Sequence, residues 1–245
     1  METKTSWVLS NPIAHRGLHT FELPENSLPA FENSVKHGFA IELDVRIIDD
    51  RTVVVFHDEK LSRMAGKDGY VSSLKAADLN EIKLAKTEFG IPTFEKVLET
   101  VNGKVPILIE IKKAEQSFAL EERLIDMLKS YNGDYAVESF DPTSLEYFHN
   151  NVPQIMRGQL SSYFRHSELD RPRRIRSKLK KLKFNDISHP DFIAYNAHYL
   201  PNKYVKNAGL PIVAWTVRSE LAAQKVLEFC SNYIFEGFIP KTTND

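Results

Sequence analysis

The sequence predicts an α/β fold, a (β/α)8 TIM barrel with a small inserted lobe after the second strand, on three observations. Short apolar, β-branched runs recur along the chain, amphipathic stretches separate them, and the alternation repeats about eight times in 245 residues. One such barrel takes roughly 250 residues. Continuous apolar runs, rather than strict alternation, suit strands buried on both faces of a parallel sheet. Repeated strand and helix alternation at this length favours a closed barrel over an open doubly wound sheet.

The strand series runs through 12–14, 39–45, 53–56, 105–111 and 135–140, then 153–156, 191–195, 211–217 and 233–235. Between them, 26–36 reads as a helix that starts from an Asn26 cap, carries Leu28, Phe31 and Val35 at helical spacing, and stops at Gly38. Residues 93–101 open from Thr93 and end before Gly103, and 118–129 repeat apolar Phe118, Leu120, Leu124, Ile125 and Leu128. Shorter helices at 143–148, 203–207 and 220–229 complete the pattern.

One connection does not fit a simple unit. Residues 51–57 read as a hairpin partner after Asp49-Asp50, and 59–91 is too long for a plain βα loop. About 57–91 is therefore expected to form a lobe above the barrel mouth, within one catalytic domain spanning 1–245.

Lys plus Arg number 32 against 33 Asp plus Glu, a formal charge of -1 that gives no global reason to expect a nucleic-acid partner. The single Cys, Cys230, excludes an intrachain disulfide. The opening residues lack the basic start and apolar stretch of a secretion signal, and no apolar run approaches the ~18 residues of a membrane span, so a cytoplasmic location is expected.

In parallel α/β folds and barrels, ligands bind at the carboxyl ends of strands, and there the polar groups of this chain gather. The first strand runs into His15-Arg16-Gly17, the second carries Glu42 and Asp44, the next Glu110 and Lys112, and another ends at Glu138. With side chains alternating at period two, Glu42 and Asp44 share one face, as do Glu110 and Lys112. Buried carboxylates need a positive neighbour. A hard divalent cation, Mg²⁺ or Ca²⁺, suits an all-oxygen set better than Zn²⁺ does; ion pairs with Arg16, Arg46 or Lys112 are the structural alternative. His15 and His57 are the proton-transfer candidates among eight His, because each ends an apolar run in charged company. His19, His37, His149, His166, His189 and His198 lack such company. Arg157 either faces the pocket or is exposed or ion-paired.

These residues fall in a recognisable order. Ile13-Ala14-His15-Arg16-Gly17, Pro24-Glu25-Asn26-Ser27, Glu42-Leu43-Asp44-Val45, Val55-Phe56-His57-Asp58 and Leu61-Ser62-Arg63 are followed by Ile91-Pro92-Thr93-Phe94-Glu95, Glu110-Ile111-Lys112, Glu138-Ser139-Phe140 and Ala214-Trp215-Thr216-Val217. Together they resemble the glycerophosphodiester phosphodiesterase family over nearly the whole chain. The resemblance implies a metal-dependent TIM barrel that hydrolyses deacylated phospholipids to sn-glycerol 3-phosphate and an alcohol, in lipid and glycerol metabolism. By motif position, Glu42, Asp44 and Glu110 would hold one divalent cation, Mg²⁺ or Ca²⁺ with Mn²⁺ an alternative. His15 and His57 would be the acid and base, Arg16 and Lys112 would meet the phosphate, and Trp215 would pack on the glycerol carbons or in the core. The chain departs from the family's last-strand pattern at 232–237.

Residues 171–183 hold eight Lys and Arg and no acid, with Ile175, Leu179 and Leu182 at helical spacing. A helix there could make weak contact with an anionic membrane surface, or be the fifth barrel helix with its stripe inward and its charges solvated. Two rival activities stay open: a lysophospholipase D acting on acylated substrates, and a non-catalytic barrel that binds phosphorylated ligands. The oligomeric state is not specified by these features.

Overall fold

Every strand of the series but one lies where its apolar run puts it. The structure is a computed structural model that describes residues 7–113, 117–165 and 171–241; His166 lies outside them. Its strands are β1 Ile13–Ala14, β2 Ala40–Ile47, β3 Val53–Val55, β4 Ile107–Ile111, β5 Tyr135–Ser139, β6 Arg157–Ser161, β7 Phe192–Asn196, β8 Ile212–Val217 and β9 Asn232–Phe235. The helices are α1 Trp7–Ser10, α2 Leu28–His37, α3 Ser62–Ala65, α4 Phe94–Val101, α5 Ala119–Leu128, α6 Pro142–Asn151, α7 Arg173–Lys180, α8 Asn185–Ser188, α9 Lys203–Ala208 and α10 Glu220–Leu227. The sheet order is β1-β9-β8-β7-β6-β5-β4-β2-β3, with β1 also paired to β2. With β3 set aside as the antiparallel partner of β2, this is a (β/α)8 TIM barrel. No helix among the described residues is long and apolar enough to cross a membrane.

By internal packing the chain divides into two units, Ala14–Tyr135, and Met1–Ile13 with Ala136–Asp245. In the first, β2 and β4 run parallel with Asp44 opposite Glu110, so two acids from strands far apart in sequence become lateral neighbours. Helix α2 starts later than its apolar spacing predicts. Ser27 is the N-cap residue and Asn26 does not cap; its side chain is drawn instead to Asp44 on the sheet. Gly38 closes α2 with a left-handed φ of 71°, its N–H donating to Ser34 and Val35 carbonyls. The inserted lobe after β3 has its own apolar centre: Val71, Leu74, Leu79, Ile82 and Leu84 cluster with Phe56, Leu61 and Ile91. That shared core seats the lobe on the hairpin carrying His57.

In the second unit, Asn232 on β9 donates to the carbonyls of Val8 and Asn11, fastening α1. The expected strand at 153–156 is corrected to β6, Arg157–Ser161. The displaced strand reads Arg-Gly-Gln-Leu-Ser and buries all five residues, because its polar donors meet nearby carbonyls, the Gln159 amide those of Ser139 and Leu160 and the Ser161 hydroxyl that of Leu179. Arg157 donates to the carbonyls of Pro153, Ile155 and His189 and pairs with Asp191. It opens β6, at the end opposite to strand-end ligands, so the pocket-facing reading of Arg157 is overturned. Gly158 leaves room for the Phe192 ring, which a Cβ there would strike.

Candidate active site

Strand β2 places two carboxylates in an otherwise apolar core: Glu42 and Asp44 are 1% and 0% exposed, and Glu110 on β4 is 7% exposed. One carboxylate oxygen from each of the three lies within 4.8 Å of the others. Lys112, just past β4, brings its Nζ to 3.0 Å from Asp44 Oδ1 and 2.6 Å from Glu110 Oε1. Burial alone would raise the Asp44 carboxyl; the charges of Lys112, His57 and Arg16 and the Asn26 amide reverse that and hold it well below the usual carboxylate range. Glu110 goes the other way. Burial pushes it up, Lys112 opposes, and the Asp44 charge beside it adds to the rise.

The turn after β1 is shaped around the same acids. Arg16 and Gly17 take left-handed φ values of 56° and 79°, and a side chain on Gly17 would press on Phe31 and Ala30. This turn aims the Arg16 N–H at Glu42 Oε2, 2.8 Å away, and its guanidinium at Glu25, 2.6 Å, and Asp44, 3.5 Å. Burial opposes the Arg16 charge, but Asp44, Glu25 and Glu42 outweigh it and raise its pKa. His15, immediately before, is half-buried.

His57 follows β3. Its Nδ1 meets Asp58 Oδ1 at 2.6 Å, and its carbonyl accepts from Arg46 at 3.0 and 2.6 Å. Asp58 also receives Arg63 at 2.6 Å, and Arg63 forks onto both Glu25 oxygens at 2.8 and 2.7 Å. A continuous chain therefore runs Arg16–Glu25–Arg63–Asp58–His57, joining the β1 turn to the lobe.

Sequence reasoning gave no site role to Glu25, Asp58 or Arg63 and read Asn26 only as a helix cap. Asn26 is buried at φ 54°, its Nδ2 donating to Asp44 at 2.7 Å. The available signal was adjacency, since Asp58 follows His57 and Asn26 follows Glu25. Trp215 lies on β8, in the other unit, edge-on to Phe140 at 5.7 Å between ring centroids. Glu138 is buried on β5 of that unit and is not one of the three clustered acids.

The donor set fits a divalent cation. All three ligand atoms are hard oxygens, and all come from buried carboxylates. The Lys112 ammonium lies against Asp44 Oδ1 and Glu110 Oε1. A barrel with clustered carboxylates, cationic side chains and a carboxylate-held His beside them carries the kinds of group that phosphodiester hydrolysis uses.

Comparison with known proteins narrows this chemistry. The sequence profile described as the Glycerophosphoryl diester phosphodiesterase family matches residues 15–239, and the chain belongs to that family. A glycerophosphodiester phosphodiesterase of Bacillus subtilis is 24% identical over 250 residues, covering 92% of this chain and 83% of that one. A Homo sapiens lysophospholipase D is 32% identical over 148 residues, 55% of this chain and 46% of its own. Among solved structures, an Oleispira antarctica phosphodiesterase in complex with the product sn-glycerol-3-phosphate matches with a TM-score of 0.76 at 22% identity, covering 92% of each chain.

Proposed function

We propose that this chain, acting as one catalytic domain, hydrolyses glycerophosphodiesters to sn-glycerol 3-phosphate and an alcohol in the cytoplasm. The observation that carries the proposal is the meeting of three buried carboxylate oxygens within 4.8 Å beside Lys112 and Arg16. Glu42, Asp44 and Glu110 would hold one divalent cation, Mg²⁺ or Ca²⁺ with Mn²⁺ an alternative. When bound, the cation supplies Lewis-acid polarisation of a phosphoryl oxygen.

The protein's own residues do the rest. Arg16 and Lys112 take up negative charge on the phosphate oxygens as it develops. His57, with Nδ1 held by Asp58, has Nε2 left to carry a proton, and His15 is its counterpart. One imidazole takes the proton of the attacking oxygen, of water or of the neighbouring glycerol hydroxyl, while the other protonates the departing alkoxide. A positioned acid or base is worth about 10² to 10⁴ in rate, so both are needed alongside charge stabilisation. Trp215 would pack on the glycerol carbons.

A second reading, hydrolysis of lysophospholipids that retain an acyl chain, is favoured by Phe21. It is 94% exposed at the tip of a turn in which the Thr20 N–H donates to the Leu23 carbonyl and Thr20 Oγ1 accepts from the Leu23 N–H. The test is a coupled assay for glycerol 3-phosphate over several headgroups, with lysophosphatidylcholine as a parallel arm read by released choline, using metal-stripped protein resupplied with Mg²⁺, Ca²⁺ or Mn²⁺. Turnover is expected only with metal. His15→Ala and His57→Ala variants each within tenfold of wild type would overturn the acid and base roles, and phosphorylated-ligand binding without turnover would favour a non-catalytic barrel.

A further inference from the structure

The acid-free basic stretch is not absorbed by the chemistry above, and its placement is specific. Ser161 Oγ, at the end of β6, donates to the Leu179 carbonyl at 2.9 Å, and the Tyr195 hydroxyl on β7 donates to the Lys180 carbonyl at 3.1 Å. Two side chains from the carboxyl ends of neighbouring strands thus pin the last turn of α7. Leu179 and Leu182 are buried beneath it. Its cations are held at the strand ends where barrel enzymes carry their sites.

Two kinds of cation occupy this surface. Lys180 lies 3.7 Å from the Tyr163 ring centroid and Arg165 5.6 Å from it. Arg173, Arg174, Lys181 and Lys183 are instead exposed and have no ion-pair partner among the described residues. They are spread along a helix of eight residues and the turn after it, roughly 12 Å or more. A single phosphate cannot bridge that span, whereas an extended anionic plane meets all four.

We propose that this face docks on an anionic lipid surface. Charge complementarity selects an anionic partner, and the aromatic geometry favours lipid over nucleic acid. Single-stranded nucleic acid binds through open aromatic faces on which bases stack. Here Tyr163 is stacked on Tyr199, centroids 4.7 Å apart and planes 18° apart, with Lys180 over the ring. With the rings covered and the apolar stripe turned into the protein, what this face offers is its cations, which suits electrostatic seating on an anionic lipid surface without insertion.

Flotation of the full chain with vesicles tests this, comparing pure phosphatidylcholine with a mixture of phosphatidylcholine and phosphatidylglycerol. Each cation near such a surface multiplies binding roughly fivefold, and salt at about 0.15 M screens it within about 8 Å. Wild type is expected to bind the anionic vesicles at least tenfold better than the neutral ones at low salt, and more weakly as salt rises. The combined variant Arg173→Gln, Arg174→Gln, Lys181→Gln, Lys183→Gln is expected to lose at least tenfold while hydrolysing a soluble glycerophosphodiester as wild type does. If the fourfold variant does not fold, the pairs Arg173→Gln with Arg174→Gln and Lys181→Gln with Lys183→Gln are each expected to show a partial loss. The proposal is overturned by no binding at low salt, by equal binding of the variants, by equal binding to neutral vesicles, or by preferential binding of a random-sequence polynucleotide in a competition arm. Vesicle binding is read without turnover, so it stands or falls separately from the proposed hydrolysis.

Discussion

Replacing Arg63 by Met removes the middle link of the chain between Glu25 and Asp58 while keeping a stem of similar length. Four contacts are lost: 2.6 and 3.1 Å to Asp58, and 2.8 and 2.7 Å to Glu25. Hydrogen bonds to charged groups are worth about 1.5–3 kcal/mol when dry. The Arg63 side chain is 46% exposed, however, and solvent screening cuts this sharply. Glu25 keeps Arg16 and Asp58 keeps His57. The net loss is therefore set at about 1–2 kcal/mol for the whole network, or about 3–6 °C in Tm for a chain of this size.

The pH dependence has a definite sign. Burial tends to raise both carboxyls, but hydrogen bonds and charge, from Arg63 and Arg16 for Glu25 and from His57 and Arg63 for Asp58, hold each below its usual range. A lowered carboxyl stabilises the fold above its unfolded pKa, near 4, and that contribution is lost as pH falls through the folded value. The gap between wild type and Arg63→Met should thus be full at pH 7 and narrow below about pH 4. Urea unfolding followed by circular dichroism at both pH values measures it. A gap under about 0.5 kcal/mol at neutral pH, or one that widens in acid, would refute the reasoning.

Other perturbations have equally definite outcomes. Lys112→Met leaves Asp44 and Glu110 without their nearest cation, and in chelator it should lose about 3 kcal/mol of stability, as for a broken buried pair; thermal unfolding with and without added Mg²⁺ or Ca²⁺ should show part of the loss restored by the ion. Gly158→Ala drives a methyl into the Phe192 ring and should cost about 1–3 kcal/mol by overpacking, read from the urea midpoint. Burial pushes the Cys230 thiol up to about 12, so at pH 8 its reaction with a chromogenic disulfide should be at least about a thousandfold slower than in the urea-unfolded chain.

The strands and acids that were legible share one property: their signal is local. Residues 39–45 and 105–111 are apolar runs interrupted by Glu42, Asp44 and Glu110, and a charge inside a buried strand stands out without knowledge of its partner. Strand β6 was not legible for the converse reason. Arg157, Gly158 and Gln159 are polar or side-chain-free in sequence, and their burial is supported by carbonyls of Pro153, Ser139 and His189 and by the Phe192 ring. Asn26 was misplaced because an Asn before an apolar helix reads as a cap, and only the nearness of Asp44 redirects its amide.

From sequence alone came the alternation that makes a barrel, the family motifs and the strands bearing the acids, because periodicity and burial of apolar side chains act over a few residues. Tertiary structure decided which charges answer one another. Glu25 and Arg63 stand 38 residues apart, as Arg16 and Glu42 stand 26 apart; such pairs form only once the β1 turn and the lobe are folded against the sheet. Electrostatic partnership depends on separation in space, which chain order does not encode directly, and so the acids could be named before the network that steadies them.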